Sequence, residues 1–139
     1  MSPLYSLLSG RRVLLVEDEM IVAWLLKDML TELGCHVIGP AARVGEALKI
    51  VGVEPLDAAI LDLNLNGELS YPVADALMSR GVPFLFSTGY DRDRIADGYR
   101  GFPLLQKPYH QSNLGAALAA LLGCGASDAV GSAWILPAA

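Results

Sequence analysis

Short apolar runs alternate along this chain with longer stretches in which apolar residues recur every three or four positions. No other feature constrains the fold as strongly. A continuous apolar run suits a strand buried on both faces, whereas a helical stripe buries one side only. Val13–Val16, His36–Gly39, Ala58–Leu61, Val82–Phe86 and Phe102–Gln106 read as strands, the second weaker than the rest. Between them, Ile21, Val22, Leu25, Leu26, Met29, Leu30 and Leu33 form one helical face. Val44, Ala47, Leu48 and Val51 form another, and Val73, Ala74, Leu77 and Met78 point inward from a helix over Tyr71–Arg80. Ser112–Leu122 is the last helix, with Ser112 as its cap. Asp18 is the expected N-cap of the first helix, and Gly34 and Gly81 are stops. Pro83 sits at a strand start, where its missing N–H is tolerated. Asp91–Tyr99 is the weakest helix. It offers only Ile95, Ala96 and Tyr99 as apolar anchors, and its amides are expected to exchange quickly.

Five such β-α units imply a parallel sheet with right-handed crossovers and helices on both faces. A length of 139 residues suits one domain. Residues 1–10 read as an N-terminal extension and 11–123 as the globular unit. Residues 124–139 read as a Gly/Ala/Ser-rich tail without an output domain, either frayed or docking its triplet Trp134-Ile135-Leu136. With 53% hydrophobic and 18% charged residues the chain can build a core. A net charge of -5 and the lack of any Lys/Arg run argue against nucleic-acid binding. The N-terminus has no signal-peptide pattern, and the apolar tract Leu114–Leu122 is too short to span a bilayer, so a cytoplasmic location away from the membrane is expected. Cys35 and Cys124 have no metal-like spacing, and Cys35 is expected to be a small buried residue rather than a disulfide partner.

Open α/β sheets keep their sites at the carboxyl ends of the strands. Strand one delivers Glu17 and Asp18 there, strand three Asp62, strand four Thr88 and strand five Lys107. Three carboxylates close together raise one another's pKa, a conflict that a divalent cation removes, and an all-oxygen site suits Mg²⁺. Asp62 is then a candidate nucleophile toward a phosphoryl group, with Lys107 and Thr88 to hold phosphoryl oxygens.

These residues, in this order and on these elements, resemble the receiver domain of two-component response regulators over about residues 11–123. The resemblance implies a flavodoxin-like (βα)5 three-layer sandwich with a five-stranded parallel sheet in the order 2-1-3-4-5. It also implies an acidic pair Glu17–Asp18 for Mg²⁺, Asp62 as phosphoacceptor, and the backbone carbonyl of Asn64 in the metal shell. Thr88 becomes the switch residue and Lys107 the phosphate-binding lysine, followed by a cis bond to Pro108. Leu104 stands where the family commonly has an aromatic switch residue, and Leu65-Asn66 where Met-Pro is frequent. Phe86-Ser87-Thr88-Gly89-Tyr90 is similar to the signature of a subgroup named for its Phe-Ala-Thr-Gly-aromatic motif, with Ser87 in place of alanine. That likeness implies a stand-alone receiver served by a sensor histidine kinase of the HWE or a related type. A monomer or a phosphorylation-dependent dimer is expected, and the sequence does not choose between them. The downstream partner is not legible.

Each residue also has a plainer reading. Asp62 alone could cap a turn, Glu17 and Asp18 could merely start a helix, Thr88 could be a loop hydroxyl and Lys107 a solvated surface lysine. Their shared sheet edge favours the functional reading. His36 and His110 have no metal-ligand spacing and receive no role. Tyr90 is either a half-buried filler or a contact beside the site. Trp24 is expected to be partly buried against the last helix, although exposure would suit a kinase-binding surface. A rival function is a pseudo-receiver that binds proteins without being phosphorylated. An aspartyl phosphohydrolase is a poorer fit, because such enzymes usually carry a second acid two residues after the nucleophile, where this chain has Asn64. The chain is thus expected to be a phosphoacceptor in a phosphorelay rather than an enzyme.

Overall fold

Residues 3–89 and 94–123 are described by a computed structural model. In chain order the elements are α1 (Pro3–Leu8), β1 (Arg12–Val16), α2 (Met20–Glu32), β2 (His36–Ala41), α3 (Val44–Val53), β3 (Ala58–Asp62), β4 (Asn64–Leu65), β5 (Glu68–Leu69), α4 (Tyr71–Ser79), β6 (Phe84–Thr88), β7 (Leu104–Gln106) and α5 (Gln111–Gly123). The five long strands form one parallel sheet in the order β2-β1-β3-β6-β7, which is 2-1-3-4-5 when only those strands are counted. The expected flavodoxin-like sandwich is therefore present.

Strand alternation divides the apolar residues between two layers. Leu14, Val16, Ala59, Leu61, Phe84 and Phe86 face α3 and α4. Val13, Leu15, Ala58, Ile60, Leu85 and Leu105 face α2 and α5. The central strands β3 and β6 are buried along their full length, which explains their unbroken apolar composition. At the sheet edge, β2 has mixed exposure, which explains its weaker pattern. Its Gly39 adopts a φ of +106°, where an added Cβ would lie 2.7 Å from the Leu15 carbonyl oxygen. Only glycine fits that irregularity between β2 and β1.

Several local expectations are corrected. Of the weak helix Asp91–Tyr99, residues 91–93 fall outside the described residues. Among the described residues of the rest there is no α-helix, and Asp97–Tyr99 forms a 3₁₀ turn. Gly98 and Gly101 deprive this stretch of helix propensity, yet Ile95 is buried and anchors it. The N-cap position of α2 is Glu19 rather than Asp18, and no side chain caps it. The last helix begins at Gln111, and Ser112 lies inside it. The Asn113 side chain accepts from His110 N while Asn113 N donates to His110 O, a reciprocal cap one turn wide.

The inward face of α2 runs through Ala23, Leu26 and Leu30, so Ile21 and Leu25 point outward at 72% and 55% exposure. Trp24 is 61% exposed and not tucked against α5. Leu48 and Met78 also reach solvent. A stripe read from spacing alone is wider than the line of residues that touches the sheet. Cys35 is buried, and burial pushes its thiol up to about 11, which keeps it an inert core group. His36 and His110 are exposed, and Cys124, Trp134-Ile135-Leu136 and Tyr90 lie outside the described residues. No helix among the described residues is long and apolar enough to cross a membrane.

The N-terminal segment is more than an extension. α1 packs against α5, and Leu8 is fully buried in the α2/α5 layer. Gly10, at φ +78°, turns the chain into β1 and donates to Gly34 O. Replacing Leu8 by alanine is expected to destabilise the fold by about 2–5 kcal/mol, read as a lower urea midpoint at unchanged slope. A loss below about 1 kcal/mol would show that α1 contributes little to the core.

Candidate functional site

The parallel register sets the site. Val16 pairs with Leu61, Asp62 with Ser87 and Thr88 with Gln106. Glu17, Asp62, Thr88 and Lys107 therefore arrive in one row at the carboxyl edge of the sheet. A cleft of about 340 Å³ opens there, lined by Asp18, Glu19, Asp62, Asn64, Asn66, Thr88, Gly89 and Lys107. All the residues expected from sequence meet at this edge, but they do not stand equally in the cleft.

Glu17 lies behind the opening, with its side chain 1% exposed. Its Oε1 is 2.6 Å from Lys107 Nζ, and its Oε2 accepts from Glu19 N. Lys107 Nζ also lies 3.8 Å from Asp62 Oδ2. The lysine is thus shared between two acids on neighbouring strands. Backbone bonding holds its loop, since Lys107 N donates to Thr88 O at 2.7 Å and the bond to Pro108 is cis, as the resemblance implied. Thr88, 1% exposed, faces the cleft from the end of β6.

Asp62 is the electrostatic centre. Its carboxyl is pushed up to about 7, foremost by burial; Lys107 opposes the shift, and Glu17 and Asp18 add to it. One oxygen from each of Glu17, Asp18 and Asp62 falls within 4.8 Å of the others. A hard divalent cation suits that donor set, because it brings the positive charge that three crowded carboxylates lack. The acids present therefore fit Mg²⁺, with Asp18 and Asp62 lining the cleft and Glu17 set behind them.

The turn after Asp62 is itself built into the site. β4 and β5 form a two-stranded hairpin around Asn66-Gly67, with φ of 54° and 88°. Asn66 N donates to Asp18 Oδ2, which pins the hairpin to the acidic pair, and the Asn64 side chain accepts from Gly67 N. An Asn-Gly pair is the strongest short hairpin signal, so this feature was available in the sequence. Glu19, also in the cleft, had no such signal beyond following Asp18.

Behind Thr88, away from the cleft, lies an aromatic cluster. Tyr71 and Tyr99 stack at 4.2 Å, and both meet Phe86 edge-on. Tyr71 Oη accepts from Ala96 N, and Tyr99 Oη donates to Asp75 Oδ1. Leu104, in place of the expected aromatic, is buried in the same layer.

Known proteins resemble both this arrangement and this sequence. No family model matches the chain. The solution structure of SdrG from Sphingomonas melonis Fr1 is 44% identical with a TM-score of 0.73, covering 81% of this chain and 97% of that one. The receiver domain of the sensor histidine kinase PA1611 from Pseudomonas aeruginosa PAO1, which has magnesium coordinated in its active-site cleft, is 25% identical with a TM-score of 0.73, covering 84% and 100%. Among curated proteins, the phyllosphere-induced regulator PhyR of Methylorubrum extorquens is 34% identical over 115 residues, which is 79% of this chain and 43% of that protein. The chain spans about half the length of the curated relatives it matches.

The raised Asp62 carboxyl has a pH consequence. Between about pH 4 and about pH 7 the unfolded chain ionises Asp62 while the folded chain keeps it protonated. The unfolded state then binds fewer protons, so this group's contribution to stability falls as pH rises through that window. With divalent metal chelated, Asp62→Asn is expected to melt above wild type at neutral pH, the gap closing toward about pH 4. Parallel melting curves across the window would contradict the shift.

Proposed function

The chain belongs to the receiver-domain family of two-component response regulators, and from that membership we propose that it is a phosphorylation switch or phosphate shuttle whose acceptor is Asp62. The supporting observation is the convergence of Asp62, Asp18, Thr88 and Lys107 on one cleft, with Glu17 behind it.

The proposed donor is the phosphohistidine of a sensor histidine kinase, of the HWE or a related type as the Phe86–Tyr90 motif implies. An ionised Asp62 oxygen attacks phosphorus, the P–O bond forms as the P–N bond breaks, and the imidazole leaves and takes up a proton. Glu17, Asp18, Asp62 and the Asn64 backbone carbonyl would hold Mg²⁺, which, when bound, neutralises charge on the transferring group. Lys107 swings its ammonium from Glu17 to a phosphoryl oxygen, and the Thr88 hydroxyl donates to another. The added charge of about -2 is what reorders the loops after β6 and β7. Asn64 supplies no general acid for turnover, so the protein is read as a phosphoacceptor and not as a phosphatase. It acts in the cytoplasm, as a monomer or a dimer formed on phosphorylation.

Radiolabelled phosphotransfer tests the reading. Wild type is expected to take label from a cognate kinase, or from acetyl phosphate, only with Mg²⁺ present, and Asp62→Ala to take none. Lys107→Met is expected to lose most of the labelling rate, on the order of tenfold or more. Label that persists in Asp62→Ala would reassign the acceptor. A wild type that takes no label and gives no spectral response to beryllofluoride would favour the pseudo-receiver.

A further inference from the structure

The Lys107 loop is fastened to the sheet by a contact that the phosphotransfer chemistry leaves unused. The side chains of Ser87 and Tyr109 meet with Oγ and Oη 2.8 Å apart. Ser87 is 1% exposed, so its hydroxyl has no access to bulk water and depends on a protein partner. Its position is specific, because Ser87 is the registered strand partner of Asp62 and the immediate neighbour of Thr88. Tyr109 stands two residues after Lys107, across the cis bond to Pro108.

Tyr109 is held on its other sides as well. With Lys107 and Pro108 it lines an apolar groove of about 170 Å³ against Val22, Leu25, Leu26 and Met29 of α2. Burial pushes its hydroxyl up to about 12, so it keeps its proton over the ordinary pH range and forms a neutral hydroxyl pair. The Lys107 backbone is bonded to Thr88 O at 2.7 Å. The loop thus has two anchors on β6, one through the backbone of Thr88 and one through the side chain of Ser87. Without the second anchor, the Lys107 stem could pivot about the first, and the ammonium would lose its fixed place 3.8 Å from Asp62 Oδ2.

We propose that Tyr109 and Ser87 form a positioning pair that holds Lys107 over Asp62. The proposal's effect on phosphotransfer rests on the phosphoacceptor reading above, whereas its effect on the lysine does not. Lysine in this site acts as a point charge, and its benefit depends on distance to the phosphoryl oxygen it meets. Neither side chain lines the cleft that Asp18 and Asp62 face, so cation binding is left alone.

The test uses the full chain with Tyr109→Phe, Ser87→Ala and the double variant. The first removes one oxygen and keeps the ring, so the fold is retained. In the unphosphorylated protein, the NMR signals of the Lys107 ε-methylene are expected to shift or broaden in both single variants. Labelling by acetyl phosphate is expected to slow by about two- to tenfold in each, with the double variant no slower than the slower single, because one contact is lost in all three. Mg²⁺ affinity, followed by the Asp18 amide, should be unchanged. Unmoved lysine signals in both single variants, multiplying effects in the double, or a parallel loss of Mg²⁺ affinity would each overturn the pair. A wild type that takes no label overturns the phosphoacceptor reading instead, and the lysine signals then decide the pair on their own.

Discussion

A carboxylate at the end of a strand buried along its whole length loses much of its hydration, and the rest of this structure is arranged around that loss. Asp62 ends β3, the central strand, with Glu17 and Asp18 delivered beside it by β1. The sheet cannot move the acids apart, because the register that buries Leu61 and Ile60 also fixes Asp62. Lys107 offers one positive charge, and it is drawn more closely to Glu17 than to Asp62. The site is therefore under-neutralised by its own residues, a state suited to receiving a cation and then a phosphoryl group.

The sequence was most legible where burial is most complete. β3 and β6 lie inside the sheet, so unbroken apolar runs gave their place, and the residues that end those runs gave the site. Legibility failed where packing breaks a local rule. Asp18 has the chemistry of an N-cap, yet its carboxylate is bonded to Asn66 N, from a hairpin 48 positions away in sequence. Ile21 and Leu25 fit a helical stripe, but the sheet meets α2 along Ala23, Leu26 and Leu30. Alanine at the contact lets the helix approach closely and turns the larger side chains outward. The Gly-closed turn after Asp62 was legible, but not its pairing as a hairpin, because two-residue strands are too short for periodicity to register. α1 was missed because its burial depends on α5, more than 100 positions further along the chain.

Leu104 raised the question of how a change at Asp62 could travel. Two routes out of the site have physical substance. Phe86, one turn of the pleat behind Thr88, is clasped by the Tyr71–Tyr99 stack, whose hydroxyls are tied to the 3₁₀ segment and to α4. On the opposite sheet face, Ser87 leads through Tyr109 to the groove on α2. Adjacent residues of one strand thus lead to opposite layers, which follows from the alternation of a strand and needs no aromatic at position 104. The exposed Met20, Ile21, Trp24 and Leu25 lie on the helix that borders the second route.

The docking of α1 onto α5 also gives the molecule an order in time. The layer containing Leu8, Leu26 and Leu30 lacks its lid until Leu114, Ala117, Leu118 and Leu121 have been synthesised. On the ribosome, the α3/α4 side can assemble once β7 has emerged, while the opposite side stays open and apolar. The last helix then closes the sheet and captures the first segment of the chain in the same event. Closure of this half is a long-range step, in which Leu8 waits for the later residues of α5.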